Sequence, residues 1–104
     1  MKYIINEKEE QLMILMVALR YQLRLNNDDE NTRNKIYMVE TLGKSLYNIN
    51  FDSYDFAACL RDKEEEKFYY VDEEYTYKNM VDEGIVDIFR SVAERCGYDY
   101  EYTK

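Results

Sequence analysis

Carboxylates are the most abundant groups in this sequence that could do chemistry, and two close pairs stand out. Asp55 lies three residues after Asp52, and Glu73 directly follows Asp72. Paired carboxylates can act as general acid and base, but a glycosidase also needs a substantial cleft between them. A chain of 104 residues leaves little room for such a cleft. The pairs alone therefore do not indicate an active site.

The other usual catalytic groups are missing from the sequence. It contains no histidine, which removes the commonest general base and the usual triads. Cys59 therefore has no histidine to activate its thiol. Glycine-rich phosphate-binding motifs and the GxSxG motif do not occur either. We expect a protein that is not an enzyme and that uses no cofactor.

Two acidic runs, at 62–66 and 72–74, are the only candidates for metal binding. Both are rich in the carboxylate oxygens that Ca²⁺ prefers. An EF-hand loop, however, needs acidic residues at alternate positions, a central glycine and a final glutamate, and neither run has this pattern. We interpret both runs as solvated surface and predict no metal.

The two cysteines follow apolar or amphipathic stretches. Cys59 comes after Phe56, Ala57 and Ala58, and Cys96 ends an amphipathic pattern. We predict two small buried core residues with free thiols, and a disulfide between them is the alternative. The first ten residues lack the apolar stretch of a signal peptide. These features together predict a cytoplasmic protein, because thiols are kept reduced there.

The net charge of −8 arises entirely in the second half of the chain. Residues 1–49 hold seven acidic and seven basic side chains, whereas residues 50–104 hold fifteen and seven. Basic residues do gather between Arg20 and Lys35, but Asp28, Asp29 and Glu30 interrupt them. We therefore expect a basic protein partner, and no direct binding to nucleic acid or membrane.

Tyrosines accompany the acidic residues, and eight of the twelve lie in the second half. Carboxylates can occupy arginine and lysine sites that otherwise hold phosphates, and tyrosine rings supply contact area at low entropic cost. We predict a partner-binding surface here. The alternative is that the rings cover the edge of the core and the acids serve solubility. The predicted surface comprises Asp62, Glu64, Glu65, Glu66, Tyr69, Tyr70, Asp72, Glu73, Glu74, Tyr75 and Tyr77.

The longest apolar run, Leu12 to Leu19, belongs to the element that must position the rest. Every residue in it is apolar, which is typical of a helix buried on all sides. Asn6 and Glu9 form a capping pair ahead of it, so we predict a core helix from Glu7 to Leu25. The preceding stretch, Lys2 to Ile5, is either a short strand or a lead-in.

A second helix is predicted after the turn-forming residues Asn26–Asp29. Asn27 or Asp28 should cap it. Gly43 lies near its apolar face and indicates close packing on the first helix, so the two helices form an αα-hairpin. The predicted apolar face comprises Ile36, Val39, Leu42, Leu46 and Ile49.

The middle of the chain fits more than one secondary structure. Residues 53–66 have a helix-forming composition, whereas Phe68 to Val71 resembles a strand. We favour a helix from Ser53 to about Glu66, followed by an extended stretch from Phe68 to Tyr77. The alternative is a hairpin that uses the acidic run as its loop.

The last helix has a clean apolar periodicity, from Val81 to Cys96. Asn79 is predicted to cap it and Gly97 to end it, with Gly84 as a mild defect near its start. The tail, Tyr98–Tyr102, alternates tyrosine with acid and is either an edge strand or a solvated tail.

Tyrosine and acidic residues dominate two segments of the chain, 62-DKEEEKFYYVDEEYTY-77 and 98-YDYEYTK-104. In these segments and in size, the chain resembles the small, acidic, tyrosine-rich early proteins of bacteriophages and mobile elements. Many of those proteins inhibit CRISPR nucleases, restriction enzymes or DNA-repair enzymes, some by mimicking nucleic acid. The resemblance implies an anti-defence inhibitor in a bacterial host cell, and it assigns no role to any single residue.

Together these features predict a single, mainly α-helical domain over residues 1–104, with an αα-hairpin and a C-terminal amphipathic helix. A small β element around residues 68–77 would make it α+β. We expect a protein that binds and inhibits a basic, nucleic-acid-handling protein. The alternative is a structural or regulatory homo-oligomer, such as a homodimer, paired through any surface of the first helix that stays uncovered.

Overall fold

The structure, a computed structural model, describes residues 3–49 and 51–103, so the predictions that involve Lys2 and Lys104 fall partly outside it. The described chain is mainly helical with one small sheet, as predicted. In chain order the elements are β1 (Tyr3–Ile5), α1 (Glu7–Leu25), α2 (Glu30–Tyr47), α3 (Ser53–Ala58), α4 (Asp62–Tyr69), α5 (Tyr77–Asp82), α6 (Ile85–Arg95) and β2 (Tyr100–Tyr102).

α1 is the centre of the fold, and it begins and ends at the predicted residues. The side chain of Asn6 accepts a hydrogen bond from the backbone N–H of Glu9 at 2.9 Å and so caps the helix. From Met13 to Leu19 every side chain except that of Leu15 is buried, because α2, α3, α4 and α5 all pack on α1. The middle of α1 therefore leaves little apolar surface, with Leu15 only half-buried, and pairing of α1 with a second copy stays a prediction.

The αα-hairpin of α1 and α2 is confirmed, although its turn differs by one residue. Asn27 and Asp28 have φ values of 55° and 64°, a left-handed conformation that short polar residues tolerate best. Asp29 then caps α2 by accepting a hydrogen bond from Thr32 at 3.1 Å, so the cap predicted at Asn27 or Asp28 is wrong. The close packing predicted at Gly43 is confirmed: a Cβ atom there would lie 2.8 Å from Cε of Met16.

The predicted apolar face of α2 is covered only in part. Ile36 is buried and Val39 is half-buried, but Leu42 and Leu46 are 46% and 62% exposed. The contact with α1 runs through Ile36 and Gly43, and adjacent residues on a helix point about 100° apart. Leu42 consequently lies at the edge of the contact with α1, where it is 46% exposed, and the prediction that it belongs to a covered apolar face is wrong in part.

The middle of the chain forms two helices instead of one helix and an extended stretch. α3 ends in a tight turn, in which hydrogen bonds from Cys59 N to Phe56 O and from Leu60 N to Ala57 O each span three residues. α4 starts after this turn. α4 continues to Tyr69 and α5 begins at Tyr77, so the extended structure predicted from Phe68 to Tyr77 is wrong over its first two residues and its last. Residues 70–76 are irregular and contain no strand, and α5 follows them.

The β element lies at the two ends of the chain. β1 and β2 pair in parallel, with Tyr3 opposite Tyr100 and Ile5 opposite Tyr102. The strand reading of the first residues and the edge-strand reading of the tail are therefore confirmed. The β element predicted around residues 68–77 is wrong, because that segment finds its hydrogen-bond partners on α1.

α5 and α6 replace the single C-terminal helix that was predicted. Thr76, and not Asn79, caps α5 through a 3.1 Å hydrogen bond from Asn79 N to Thr76 Oγ1. Gly84 has a φ of 77° and breaks the helix, since a left-handed residue cannot continue a right-handed helix. Gly97 has a φ of 88° and ends α6 as predicted.

Cys59 and Cys96 form a disulfide, with their Cα atoms 6.2 Å apart. Phe56 stacks on Phe89 with ring centroids 5.0 Å apart, which holds α3 against α6. Each cysteine directly follows one of these helices, so the two side chains meet at the helix ends. Both are half-buried. The prediction of two free, buried thiols is wrong, and the alternative disulfide is what the structure contains.

Candidate functional site

α4 presents the first part of the predicted partner-binding surface. Asp62, Glu66 and Tyr70 follow one another at steps of four residues, share one side of the helix, and are exposed. Asp62 and Glu66 form no ion pair with any residue that the structure describes. Burial raises the pKa of the Tyr21 phenol, and the charges of Glu65, Glu66 and Asp62 raise it further. The acids of α4 thus act on a phenol that lies buried in α1.

Two other acids of α4 are already paired inside the protein. Glu64 lies 2.6 Å from Nη2 of Arg95, and Glu65 lies 3.6 Å from Nη1 of Arg24. The hydrogen bond from Arg95 is the main reason why the pKa of Glu64 is below its usual value. These pairs connect α4 to α6 and to α1, so both carboxylates contribute to the fold and are less available to a partner.

Residues 70–76 lie along α1 and are fastened to it near both ends. The side-chain amide of Gln22 donates to the carbonyls of Tyr69 and Val71, both at 2.9 Å. The amide of Gln11 donates to the carbonyl of Tyr75 at 2.8 Å. Gln11 and Gln22 are about three helical turns apart, which places both on the same side of α1. The segment between these anchor points is therefore held in place although it is not regular structure.

Asp72, Glu73 and Glu74 lie between these anchor points, and all three are exposed. Oδ1 of Asp72 accepts a hydrogen bond from Glu74 N at 2.9 Å, which orders the turn. Among the described residues none forms an ion pair with these three carboxylates. They are adjacent negative charges, held at fixed positions, that another molecule can pair.

The four predicted tyrosine anchors differ in how much of each ring is free. Tyr70 is 69% exposed. Tyr69, Tyr75 and Tyr77 are half-buried, and the hydroxyl of Tyr77 donates to Glu10 at 2.6 Å. Their role as anchors stays a prediction, and Tyr70 is the ring that is best placed for it.

A buried ion cluster, which no sequence-based prediction included, joins α1 to α6. Glu10 is 1% exposed and receives two 2.9 Å hydrogen bonds from Nε and Nη2 of Arg90. Tyr77 donates to the same carboxylate, and the ring of Tyr102 lies 4.1 Å from the Arg90 guanidinium carbon. This bidentate, hydrogen-bonded geometry is the one in which a buried carboxylate is tolerated.

The electrostatics of the cluster keep its two phenols neutral. Burial, followed by the hydrogen bond to Glu10, raises the pKa of Tyr77 to about 12. Burial and the same carboxylate raise the pKa of Tyr102 to about 12. The hydrogen bond to Glu10 also raises the pKa of Arg90, so its guanidinium stays charged. The cluster is one ion pair with two neutral rings around it, and it stabilises the fold.

Glu10 has no sequence signal that singles it out as buried. It is the third of three acids in the first turns of α1, and such acids normally sit in solvent near the helix dipole. Glu9 precedes Met13 and Met16 by four and seven residues, and Glu10 precedes Ile14 and Val17 by the same steps, so the spacing of one helical face does not distinguish the two acids. In the structure Glu10 lies on the side of α1 that carries Ile14 and Val17. Both of those residues are fully buried, so Glu10 points into the core with them.

The remaining candidate groups also take part in the fold. Asp52 caps α3 by accepting a hydrogen bond from Asp55 N at 3.0 Å, which accounts for that carboxylate pair. Arg20, one of the basic residues near the hairpin turn, pairs with Glu40 at 2.8 Å.

Within residues 3–49 and 51–103, no cluster of metal-ligating side chains is arranged to hold an ion. None of the described helices is long and apolar enough to cross a membrane.

Comparison of the chain with protein-family models, with curated proteins and with solved structures found no match. A function for this protein therefore has to be proposed from its own surface.

Proposed function

We propose that this protein binds a basic, nucleic-acid-handling protein through an acidic face. The acidic face is defined as the exposed residues Asp62, Glu66, Tyr70, Asp72, Glu73 and Glu74. The observation that carries the proposal is the fixed position of residues 72–74. The backbone that carries these three exposed carboxylates is held along α1 by hydrogen bonds from the side chains of Gln11 and Gln22.

Fixed carboxylates suit a site built for phosphates. Arginine and lysine side chains that hold a nucleic-acid backbone form equally good charge-assisted hydrogen bonds with carboxylates. Because residues 72–74 are already ordered, binding costs less conformational entropy than it would for a flexible acidic tail. Tyr70, which directly follows α4 and is 69% exposed, supplies a ring that can stack against a partner site made for bases.

Such binding would inhibit the partner by competition with nucleic acid. The proposed partners are host or defence proteins that handle nucleic acid in a bacterial cell, for example a CRISPR nuclease. The net charge has the sign that a basic partner attracts, since residues 50–104 hold the whole net charge of −8. The same acidity disfavours direct contact with nucleic acid or an anionic membrane.

A pull-down from bacterial lysate at low and high salt tests the proposal. Wild-type protein should retain nucleic-acid-binding proteins at low salt, release them at high salt, and release them when DNA or RNA is added. The neutralised variant Asp72→Asn, Glu73→Gln, Glu74→Gln should retain much less of the same proteins.

A matched control carries the same change in charge elsewhere on the surface. Glu94, Asp99 and Glu101 are exposed, and their replacement by the corresponding amides should leave retention unchanged. Equal retention by wild type and by the variant neutralised at residues 72–74 would sink the proposal, because the acidic face would then not be what the partner recognises.

A homo-oligomer is the second candidate function, and one observation favours it. Met38, Leu42 and Leu46 on α2 are 68%, 46% and 62% exposed, which is unusual for neighbouring large apolar side chains. Light scattering decides this point. A stable dimer whose mass does not change with salt supports the oligomer, and a monomer at all concentrations removes it.

The proposed partners place the protein in the cytoplasm, where disulfides are rare. The Cys59–Cys96 pair would then be reduced in the cell, whereas an oxidising compartment would keep the bond seen in the structure. Alkylation of thiols in freshly lysed cells, followed by mass spectrometry, distinguishes the two. Labelling of both cysteines supports a cytoplasmic location, and protection of both contradicts it.

A further inference from the structure

The exposed apolar residues of α2 form a stripe that no described part of the chain covers. Met38, Leu42 and Leu46 follow one another at steps of four residues, so they lie on the same side of the helix. α2 turns its Gly43 side towards α1 and this stripe towards solvent. Exposed apolar stripes of this kind typically mark a binding surface.

The C-terminal part of the stripe lines a groove between α1, α2 and the segment 70–76. The groove has a volume of about 320 Å³. That volume is at the low end of the ~300–1,000 Å³ found for small-molecule sites, and it suits a few apolar side chains. The apolar residues that line it include Leu12 and Leu15 from α1, Leu42 and Leu46 from α2, and Tyr75 and Met80.

Two carboxylates of the acidic face line the same groove. Asp72 and Glu73 lie among its walls, together with the polar residues Gln11 and Lys8. Because Gln11 and Gln22 fasten the segment 70–76 to α1, these carboxylates stay beside the leucines. A molecule that fills the groove therefore meets apolar side chains and, next to them, two carboxylates and the ammonium group of Lys8, so the charge along the groove is negative on balance.

We propose that this groove binds an amphipathic helix of the basic partner. The apolar side of that helix would pack on Leu42 and Leu46, and its lysine or arginine side chains would pair with Asp72 and Glu73. In helix-in-groove recognition the bound helix carries apolar anchors on one side at i, i+3 or i+4 and i+7, and the stripe on α2 that would receive them runs along one side of α2 at i, i+4 and i+8. This docking mode shares two carboxylates with the acidic face, so it rests on the proposed function and adds the apolar part of the contact.

The charge beside the groove favours a foreign helix over a second copy of this chain. In a dimer with twofold symmetry each patch meets a copy of itself, so two patches in which Asp72 and Glu73 outweigh Lys8 would come together. Like charges brought together at an interface cost affinity, and each chain already carries −8. A basic helix reverses the sign of that interaction.

Three peptides of about 16 residues, long enough for partial helicity, serve as the probe. All three carry leucines at i, i+4 and i+7, and the residues beside the leucines are lysine in one, glutamine in the second and glutamate in the third. Fluorescence anisotropy measures their binding to the full chain at low and high salt. The lysine peptide should bind roughly tenfold more tightly than the glutamate peptide at low salt, and the difference should shrink at high salt.

Two variants separate the apolar and the charged parts of the contact. Leu42→Gln with Leu46→Gln keeps helix-forming residues and net charge, and should weaken all three peptides about tenfold or more. Asp72→Asn with Glu73→Gln should remove the preference for lysine and leave the glutamine peptide unaffected. Tyr37→Gln is the matched control, because Tyr37 is 72% exposed on the same helix and does not line the groove.

Each outcome decides a different point. Equal binding of the peptides to wild type and to the Leu42, Leu46 variant, or no binding to either, overturns the groove. If the lysate pull-down still depends on residues 72–74 in that case, the proposed function stands without the groove. If the peptides bind through the leucines with no preference for lysine, Asp72 and Glu73 do not select a basic helix and this docking mode is overturned, while the lysate pull-down decides the proposed function separately. A dimer that Leu42→Gln with Leu46→Gln converts to monomer makes a second copy the occupant and overturns the foreign helix.

Discussion

The buried ion cluster and the acidic face are built from the same residue types, and they differ in what surrounds them. Glu10 is 1% exposed and is paired by two hydrogen bonds from Arg90. Glu73 and Glu74 are exposed, and no described residue pairs with them. A buried charge must find its partner inside the protein, whereas an exposed charge is hydrated and remains available. Tyrosines and acidic residues therefore stabilise the core where they are buried, and remain available to a partner where they are exposed.

The largest expected effect comes from removing the counter-ion of the cluster. Arg90→Ala should lower the free energy of unfolding by about 3 kcal/mol, because it leaves the Glu10 carboxylate buried without its partner. Arg90 itself is 39% exposed, so we expect the lower end of the usual range for buried pairs. Urea denaturation followed by circular dichroism measures the change.

Two further variants sharpen that measurement. Adding Glu10→Gln to Arg90→Ala should recover part of the loss, since no uncompensated charge then remains in the core. Glu73→Ala, on the acidic face, should change stability by no more than about 0.5 kcal/mol. A loss at Arg90 no greater than the loss at Glu73 would break the distinction between the two regions.

Alkaline pH should also destabilise the cluster. Tyr77 and Tyr102 have pKa values of about 12 in the folded protein, against 10.0 in the absence of the fold. The folded state therefore prefers the protonated phenols. Stability should be fully present below pH 10 and should fall as the pH rises from 10 towards 12.

Thermal unfolding at increasing pH, with tyrosinate absorbance recorded in parallel, tests this window. Tyr77→Phe should reduce the loss between pH 10 and pH 12, because it removes one of the responsible phenols. Tyr54→Phe, at an exposed position on α3, is the control and should not reduce it. A wild-type stability that is level up to pH 12 would contradict the assignment.

A smaller effect is expected where the acidic face is fastened to α1. Gln22→Ala removes the two hydrogen bonds to the carbonyls of Tyr69 and Val71 and should cost about 1–2 kcal/mol. Amide hydrogen exchange at residues 72–74 should accelerate as well, since the segment loses one of its anchor points. Gln11→Ala removes one bond and should give about half the loss. Unchanged exchange in both variants would show that the side-chain amides do not hold the face.

The smallest effect on stability is expected at the acidic face itself. Glu73→Lys with Glu74→Lys should shift the free energy of unfolding by no more than about 0.5 kcal/mol, because both side chains are exposed. The same variant should lose the partners retained in the lysate pull-down. A large loss of stability would mean that these carboxylates serve the fold, as Glu64 and Glu65 do.

Local patterns were sufficient for the parts of the fold that local interactions determine. The bounds of α1 follow from the Asn6 cap and from an apolar run that ends before a cluster of asparagine and aspartate. Gly43 was correctly read as a close contact with α1. The exposure of Tyr70 and Glu73 likewise agrees with their place in an acidic, polar segment.

Features that depend on a distant partner were missed. The disulfide joins residues 37 positions apart, and the Glu10–Arg90 pair spans 80 positions, so neither has a local signal strong enough to identify it. Gly84 resembled a mild helix defect because its left-handed backbone is visible only once α5 and α6 turn against each other. The segment 68–77 resembled a strand, but its carbonyls bond to glutamines of α1 instead of to a neighbouring strand.

The distance along the chain between Glu10 and Arg90 also has a consequence for synthesis on the ribosome. At the usual rate of translation, the 80 residues between them take roughly 4–16 s to be made. α1 and α2 are neighbours in sequence and can pair long before that time. During the interval the carboxylate of Glu10 has no counter-ion and must stay hydrated, which keeps one end of α1 open. The growing chain can therefore close its core around that end only after α6 has been synthesised.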